Sequence, residues 1–148
     1  MSQITLKNTI DDIQLFATNH NLINTVDFGD MDKVHSAKIV YPYWRLNYSN
    51  TTITDKRVIY NFQIVCADKK VHDDSDLIQK YDLTENILYE FITYFRANPI
   101  YHNVYKIELP VKIYAASSKF LDGAVASVMD LSISVDKRLC LSDINIEG

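Results

Sequence analysis

The chain has 148 residues, 47% of them hydrophobic and 23% charged, with 15 basic residues against 19 acidic ones for a net charge of −4. That length and balance suit a single domain, residues 1–148, able to bury roughly two thirds of its unfolded surface without help from metals or disulfides. The basic residues are scattered, their longest runs being the pairs Lys56-Arg57, Lys69-Lys70 and Lys137-Arg138. Such scatter weighs against a phosphate-backbone footprint and against sequence-specific nucleic-acid binding.

Only Gly29, Gly123 and Gly148 are glycines, so a phosphate-cradling loop has nothing to be built from. The opening Met1-Ser2-Gln3-Ile4-Thr5 carries neither a basic region nor an apolar segment, which argues against a secretory leader. No run approaches the roughly 18 apolar residues of a spanning helix, so no membrane role is expected. Cys66 and Cys140 each fall in an apolar run without CxxC or Cys/His spacing. They read as two reduced, buried thiols of a protein made and used in an aqueous, reducing compartment.

The pattern predicts a first helix over about residues 4–19. Leu6, Ile10, Ile13, Phe16 and Ala17 recur at three- and four-residue steps along one face, and Thr9 with Asp12 has capping-box spacing. A turn is expected at Asp27-Phe28-Gly29-Asp30, then a strand over 34–41 ended by Pro42. Trp44, Leu46 and Tyr48 alternate as a second strand, with a turn region at Ser49-Asn50-Thr51-Thr52. Val58, Tyr60, Phe62, Ile64 and Cys66 mark a third, half-buried strand.

Asp73-Asp74-Ser75-Asp76 opens a long second helix striped by Leu77, Tyr81, Leu88, Phe91 and Phe95, widened by Ile78, Ile87 and Ile92 and stopped by Asn98-Pro99. Two more strands follow, over 105–115 and 128–135. In the first, Pro110 marks an edge position or a bulge. In the second, Met129, Leu131, Ile133 and Val135 face inward while Asp130, Ser132, Ser134 and Asp136 form a solvated face. The segment from Ser117 to Gly123 between them is a loop with a turn at Asp122-Gly123. The fold class is therefore α+β: helix, three-stranded antiparallel meander, long helix and two further strands, in one mixed or antiparallel sheet packed on helices.

Few side-chain groupings suggest chemistry. His72, Asp73, Asp74 and Asp76 are the densest set of potential metal ligands, but acids at a helix start are explained by free N–H groups and the helix dipole. His20, His35, His72 and His102 lie far apart, and none adjoins a Ser or Cys in a nucleophile motif. Cys66 could approach His35 across paired strands, yet it shares the parity of the apolar face and reads as core. No catalytic residue, cofactor or metal is assigned. The aromatic load is more telling: Tyr41, Tyr43, Trp44, Arg45 and Tyr48 fall within eight positions, and Tyr, Trp and Arg are enriched where proteins bind proteins.

The order of elements, the helix end at Asn98-Pro99, and Phe120-Leu121-Asp122-Gly123-Ala124 leading into the alternating 128–135 strand and Cys140 together resemble the head–tail connector and tail-terminator ring proteins of tailed bacteriophages. The resemblance is one of pattern, over about residues 5–140. Scarce glycine with abundant Asn, Ile, Lys and Tyr also suits an AT-rich phage genome. What it implies is a virion protein of the neck or tail, assembled in the host cytoplasm and lacking an active site. It would form a homomeric ring, hexameric or dodecameric, and bind portal, connector or tail proteins. Phe120 and Asp122 join the aromatic segment as expected interface residues. The chain departs from that family's clearest members in lacking a long Gly/Ser-rich insertion and a strongly charged lumen segment. Two other readings stand beside it: a small metal-dependent enzyme using His72, Asp73, Asp74 and Asp76, and a monomeric adaptor or ligand-binding module with the Tyr41–Tyr48 aromatics around a pocket.

Overall fold

A computed structural model describes residues 4–29, 39–69, 76–116 and 124–136. Helix α1 (Leu6–Asn19) starts at Thr5, whose side chain accepts from Asn8 N–H while the Asn8 side chain accepts from Thr5 N–H. The capping box thus lies four residues before the expected Thr9 and Asp12, with Asn standing where Glu or Gln is usual. Thr9 is instead buried and donates its hydroxyl to Thr5 O at 2.9 Å. The expected inner face holds, with Ile13, Phe16 and Ala17 buried.

Strand β1 (Thr25–Phe28) takes in Asp27 and Phe28 of the expected turn, with Gly29 a bend after it and Asp30 outside the described residues, and runs parallel to β2 (Tyr43–Ile53). The parallel pair makes the sheet mixed. Of the strand expected over 34–41, residues 34–38 lie outside the described residues, and 39–41 are not strand. β2 continues through the expected turn at Ser49–Thr52, with a register shift between Tyr48 and Asn50, and reverses only at Asp55-Lys56 into β3 (Arg57–Lys69). Thr and Ile at 51–53 favour the extended chain, and the bulge absorbs the extra residue.

Helix α2 (Leu77–Ala97) ends at Asn98, whose side chain caps the short α3 (Pro99–His102) by accepting from Ile100 N–H at 2.9 Å. The strand expected over 105–115 is split into β4 (Tyr105–Ile107) and β5 (Lys112–Ala115), with Pro110 in the break, as its missing N–H requires. β6 (Ala124–Asp136) pairs with β3 along its whole length and takes both β4 and β5 on its other side, giving the order β1-β2-β3-β6-β4 with β5 beside β6. The α+β class and the helix–strands–helix–strands order hold.

Both helices cover one face of this sheet. Beneath them lies the main core of Trp44, Leu46, Val58, Tyr60, Phe62, Ile64, Cys66, Met129, Leu131, Ile133 and Val135. An aromatic spine runs through it: Phe16 meets Phe91 edge-on at 5.4 Å, Phe91 meets Phe95 at 4.9 Å, and Phe95 stacks on Tyr101 at 4.7 Å. Ring pairs of this kind add about 0.5–1.5 kcal/mol each beyond their area burial. Buried polar groups are paired across elements, with Thr84 and Ser127 hydroxyls 2.7 Å apart, Lys80 Nζ 3.0 Å from Asp68 Oδ2, and Tyr105 donating to Asp12 Oδ2 at 2.6 Å.

The reverse face is divided. Tyr43, Val65, Ala67, Ala124, Ala126 and Val128 form a second small core with Ile39, Tyr41, Tyr114 and Ala116 packed against it. Farther along, the same face is polar, but not simply solvated as the alternation suggested. Ser134 is buried and accepts from Arg57 at 2.8 Å, while Asp130 is exposed.

Candidate functional site

The aromatic segment proves to be structural. Tyr43 and Trp44 are fully buried and Arg45 nearly so, which corrects the expectation that they form an interface or line a ligand pocket. Trp44 sits among Phe16 and Phe91 and donates its indole N–H to Gln14 Oε1 at 2.8 Å. Tyr43 donates to Asp27 Oδ2 at 2.9 Å and accepts from Arg45, whose Nε donates to Gly29 O at 2.7 Å. This network locks β1 onto β2. Burial, chiefly, pushes the Tyr43 hydroxyl up to about 12. Gly29 has φ +115°, a conformation that favours glycine, and a Cβ there would come within 3.3 Å of the Arg45 guanidinium, which would have to shift by a few tenths of an ångström. Tyr41 and Tyr48 remain half-buried; Phe120 and Asp122 lie outside the described residues.

The chemical candidates fare as follows. Cys66 is enclosed in the core, and burial raises its thiol well above the ordinary range, as suits a packed rather than a nucleophilic cysteine. Cys140, His35, His72, Asp73 and Asp74 lie outside the described residues, while Asp76 occupies the N-cap position of α2 without a capping bond. Among the described residues no three His, Cys, Asp or Glu side chains are grouped to hold a metal. Nor is any described helix long and apolar enough to cross a membrane. His20 accepts from Leu22 N–H at Nδ1, which leaves Nε2 to donate to Glu90 at 2.8 Å. That pair pins the end of α1 to α2 beside a hollow of about 500 Å³.

What remains conspicuous is the sheet's two margins. On one side, β1 pairs with β2 only as far as Leu46. Beyond it, the outer edge of β2 from Asn47 to Ile53 has no neighbouring strand among the described residues, and Ile53 is 61% exposed. On the other side, β4 is the margin and opens onto a groove of about 850 Å³ between it and α2. Tyr89, Ile92, Ala97 and Leu109 give the groove an apolar lining; Arg96, Lys106 and Glu108 supply charge. Tyr89 and Leu109 are 66% and 59% exposed. Open strand edges present unpaired backbone donors and acceptors, which makes them natural sites for another chain.

The sequence pattern flags one of these margins, through Pro110 in the 105–115 strand, and misses the β2 edge, where a turn is expected. The signal for that edge is the length of the Thr-rich run after Tyr48, which is strand rather than turn. No family model matches the chain, and no curated protein matches it either.

Proposed function

We propose that this chain is a structural subunit of a tailed-phage virion that works by protein–protein binding, assembling with copies of itself into a ring at the neck or tail. The observation that supports this most is that, among the described residues, the sheet ends in two unlike margins, the outer edge of β2 without a neighbouring strand on one side and an edge strand beside a groove with an apolar lining on the other. A surface with two different, mutually accommodating margins favours heterologous head-to-tail contact, which closes into a ring when the rotation between copies fits. An isologous dimer would instead use one patch twice. The pattern resemblance to connector and tail-terminator proteins supports the same reading and adds the expected partners, namely portal, connector or tail proteins.

The test is light scattering and negative-stain microscopy of the purified full chain, alone at rising concentration and mixed with the portal and tail proteins encoded beside its gene. Closed rings in either condition are expected. A chain that stays monomeric alone, joins no portal or tail protein, and has no virion genes as neighbours would overturn the proposal.

A further inference from the structure

The strand registers carry the two margins into a defined relation. Ile53 pairs with Val58, Val58 with Val135, and Val135 with Tyr105. One step along, Thr52, Ile59, Ser134 and Lys106 form the next row, and Thr51, Tyr60, Ile133 and Ile107 the one after. The outer edge of β2, which has no neighbouring strand among the described residues, and the whole of β4 therefore stand at the same level on opposite margins. Each of the three intervening pairings is antiparallel, so β2 and β4 run in opposite directions.

The hydrogen-bond phase agrees. Thr54 N–H donates to Arg57 O at 2.9 Å, and Glu108 N–H donates to Ser132 O at 2.9 Å. Because antiparallel ladders alternate bonded and non-bonded pairs, the backbone groups of Thr51 and Ile53 point outward from β2, and those of Tyr105 and Ile107 point outward from β4. The side chains agree as well. Ile53 lies opposite buried Val58 and so stands on the helix-covered face, as do Tyr105 and Ile107, which border the groove.

We propose, resting on the ring reading above, that the β2 edge of one copy pairs antiparallel with β4 of the next, Ile53 beside Tyr105, Thr52 beside Lys106 and Thr51 beside Ile107, with Ile53 seated in the groove between β4 and α2. In this register every row of one sheet continues into the next copy, the outward backbone groups meet in phase, and an exposed apolar side chain enters an apolar groove. No residue changes face. The contact is short, with at most four backbone hydrogen bonds, each of modest net strength in water, so assembly is concentration-dependent and gains from ring closure.

Thr52 and Lys106 are both exposed on the reverse face and would form a non-hydrogen-bonded pair with Cα atoms about 4.5 Å apart, within disulfide reach. In a Cys140→Ser background, T52C/K106C should give, on oxidation, a ladder of disulfide-linked oligomers on non-reducing gels. T52C or K106C alone should give no multimer beyond a dimer. Ile53→Glu should weaken self-association, measured by light scattering or by capture into portal or tail complexes, at least tenfold. Ile78→Glu, at another exposed isoleucine, should leave it unchanged. Rings that persist in Ile53→Glu, or that form in T52C/K106C without cross-linking, overturn the pairing and leave the ring reading intact. A chain that neither cross-links nor self-associates under any condition overturns both.

Discussion

The two halves of the sheet are built differently. At the level of Trp44 the sheet is five strands wide, from Val26 through Trp44, Cys66 and Ser127 to Ala115, and both faces are packed. At the level of Ile53 the described residues make it four strands wide, ending in the outer edge of β2 on one side and β4 on the other. The first half is over-determined: the helices lie above, small residues such as Ala67 and Ala126 lie below, and the Tyr43–Asp27–Arg45 network sits at its margin. In the second half the reverse face is hydrogen-bonded polar groups, Asn61 with Asn50 and Arg57 with Ser134. One half is packed on both faces, and the other presents strand edge and exposed apolar side chains such as Ile53 among the described residues.

That contrast can be broken most severely at the spine. Phe91→Ala should cost about 3–5 kcal/mol, and Trp44→Ala a similar amount, because each deletes a fully buried ring and leaves a cavity; urea unfolding checks this. Tyr43→Phe should cost about 1–3 kcal/mol, since Asp27 and the buried Arg45 each lose a hydrogen-bond partner while the ring stays in place.

A third test uses pH. Burial, first of all, raises the hydroxyls of Tyr43 and Tyr101 from 10.0 to about 12, and that of Tyr105 is raised further by burial and by Asp12. A raised pKa in the fold means that the unfolded chain ionises first. The stability these tyrosines contribute is complete below pH 10 and is lost as pH climbs toward 12. Thermal melting across pH 8–12 should show a fall beginning near pH 10, absent at lower pH. Phe at positions 43 and 105 should flatten it.

The smallest effect on stability belongs to the open half. Ile53→Glu should change the unfolding free energy by no more than about 0.5 kcal/mol, as for ordinary surface positions, while under the proposed pairing it should weaken self-association. A larger loss would mean that Ile53 supports its own subunit and that the two halves are less distinct than their packing suggests.

Part of this division could be read in the chain. Tyr60 to Gln63 alternates between aromatic and polar residues, but from Ile64 the run Ile-Val-Cys-Ala is apolar throughout, as is most of Ala124–Met129. Loss of alternation is the signature of a strand covered on both faces, and it marks the doubly packed half. The aromatic segment misled because composition cannot distinguish a ring that binds a partner from one that fills a core. Trp44 and Tyr43 point to opposite faces of β2, and each face at that level is covered. β1 does not stand out in the sequence because Thr25–Phe28 is only four residues long and runs into Asp27-Phe28-Gly29, a turn-like composition whose glycine is a bend with positive φ that accepts from Arg45 Nε through its carbonyl.

The sequence by itself determined the elements whose signal is local: the amphipathic faces of α1 and α2, the stop at Asn98-Pro99, the alternation of β3 and β6, and hence the α+β class. Periodicity and proline are properties of neighbouring residues, so they survive without a fold. Tertiary structure alone decided the parallel partner of β2, the burial of the Tyr43–Arg45 segment, and the placing of Ile53 and Tyr105 in one row. Those depend on pairings between residues far apart in the chain, and it is the last of them that sets the two margins at one level of the sheet.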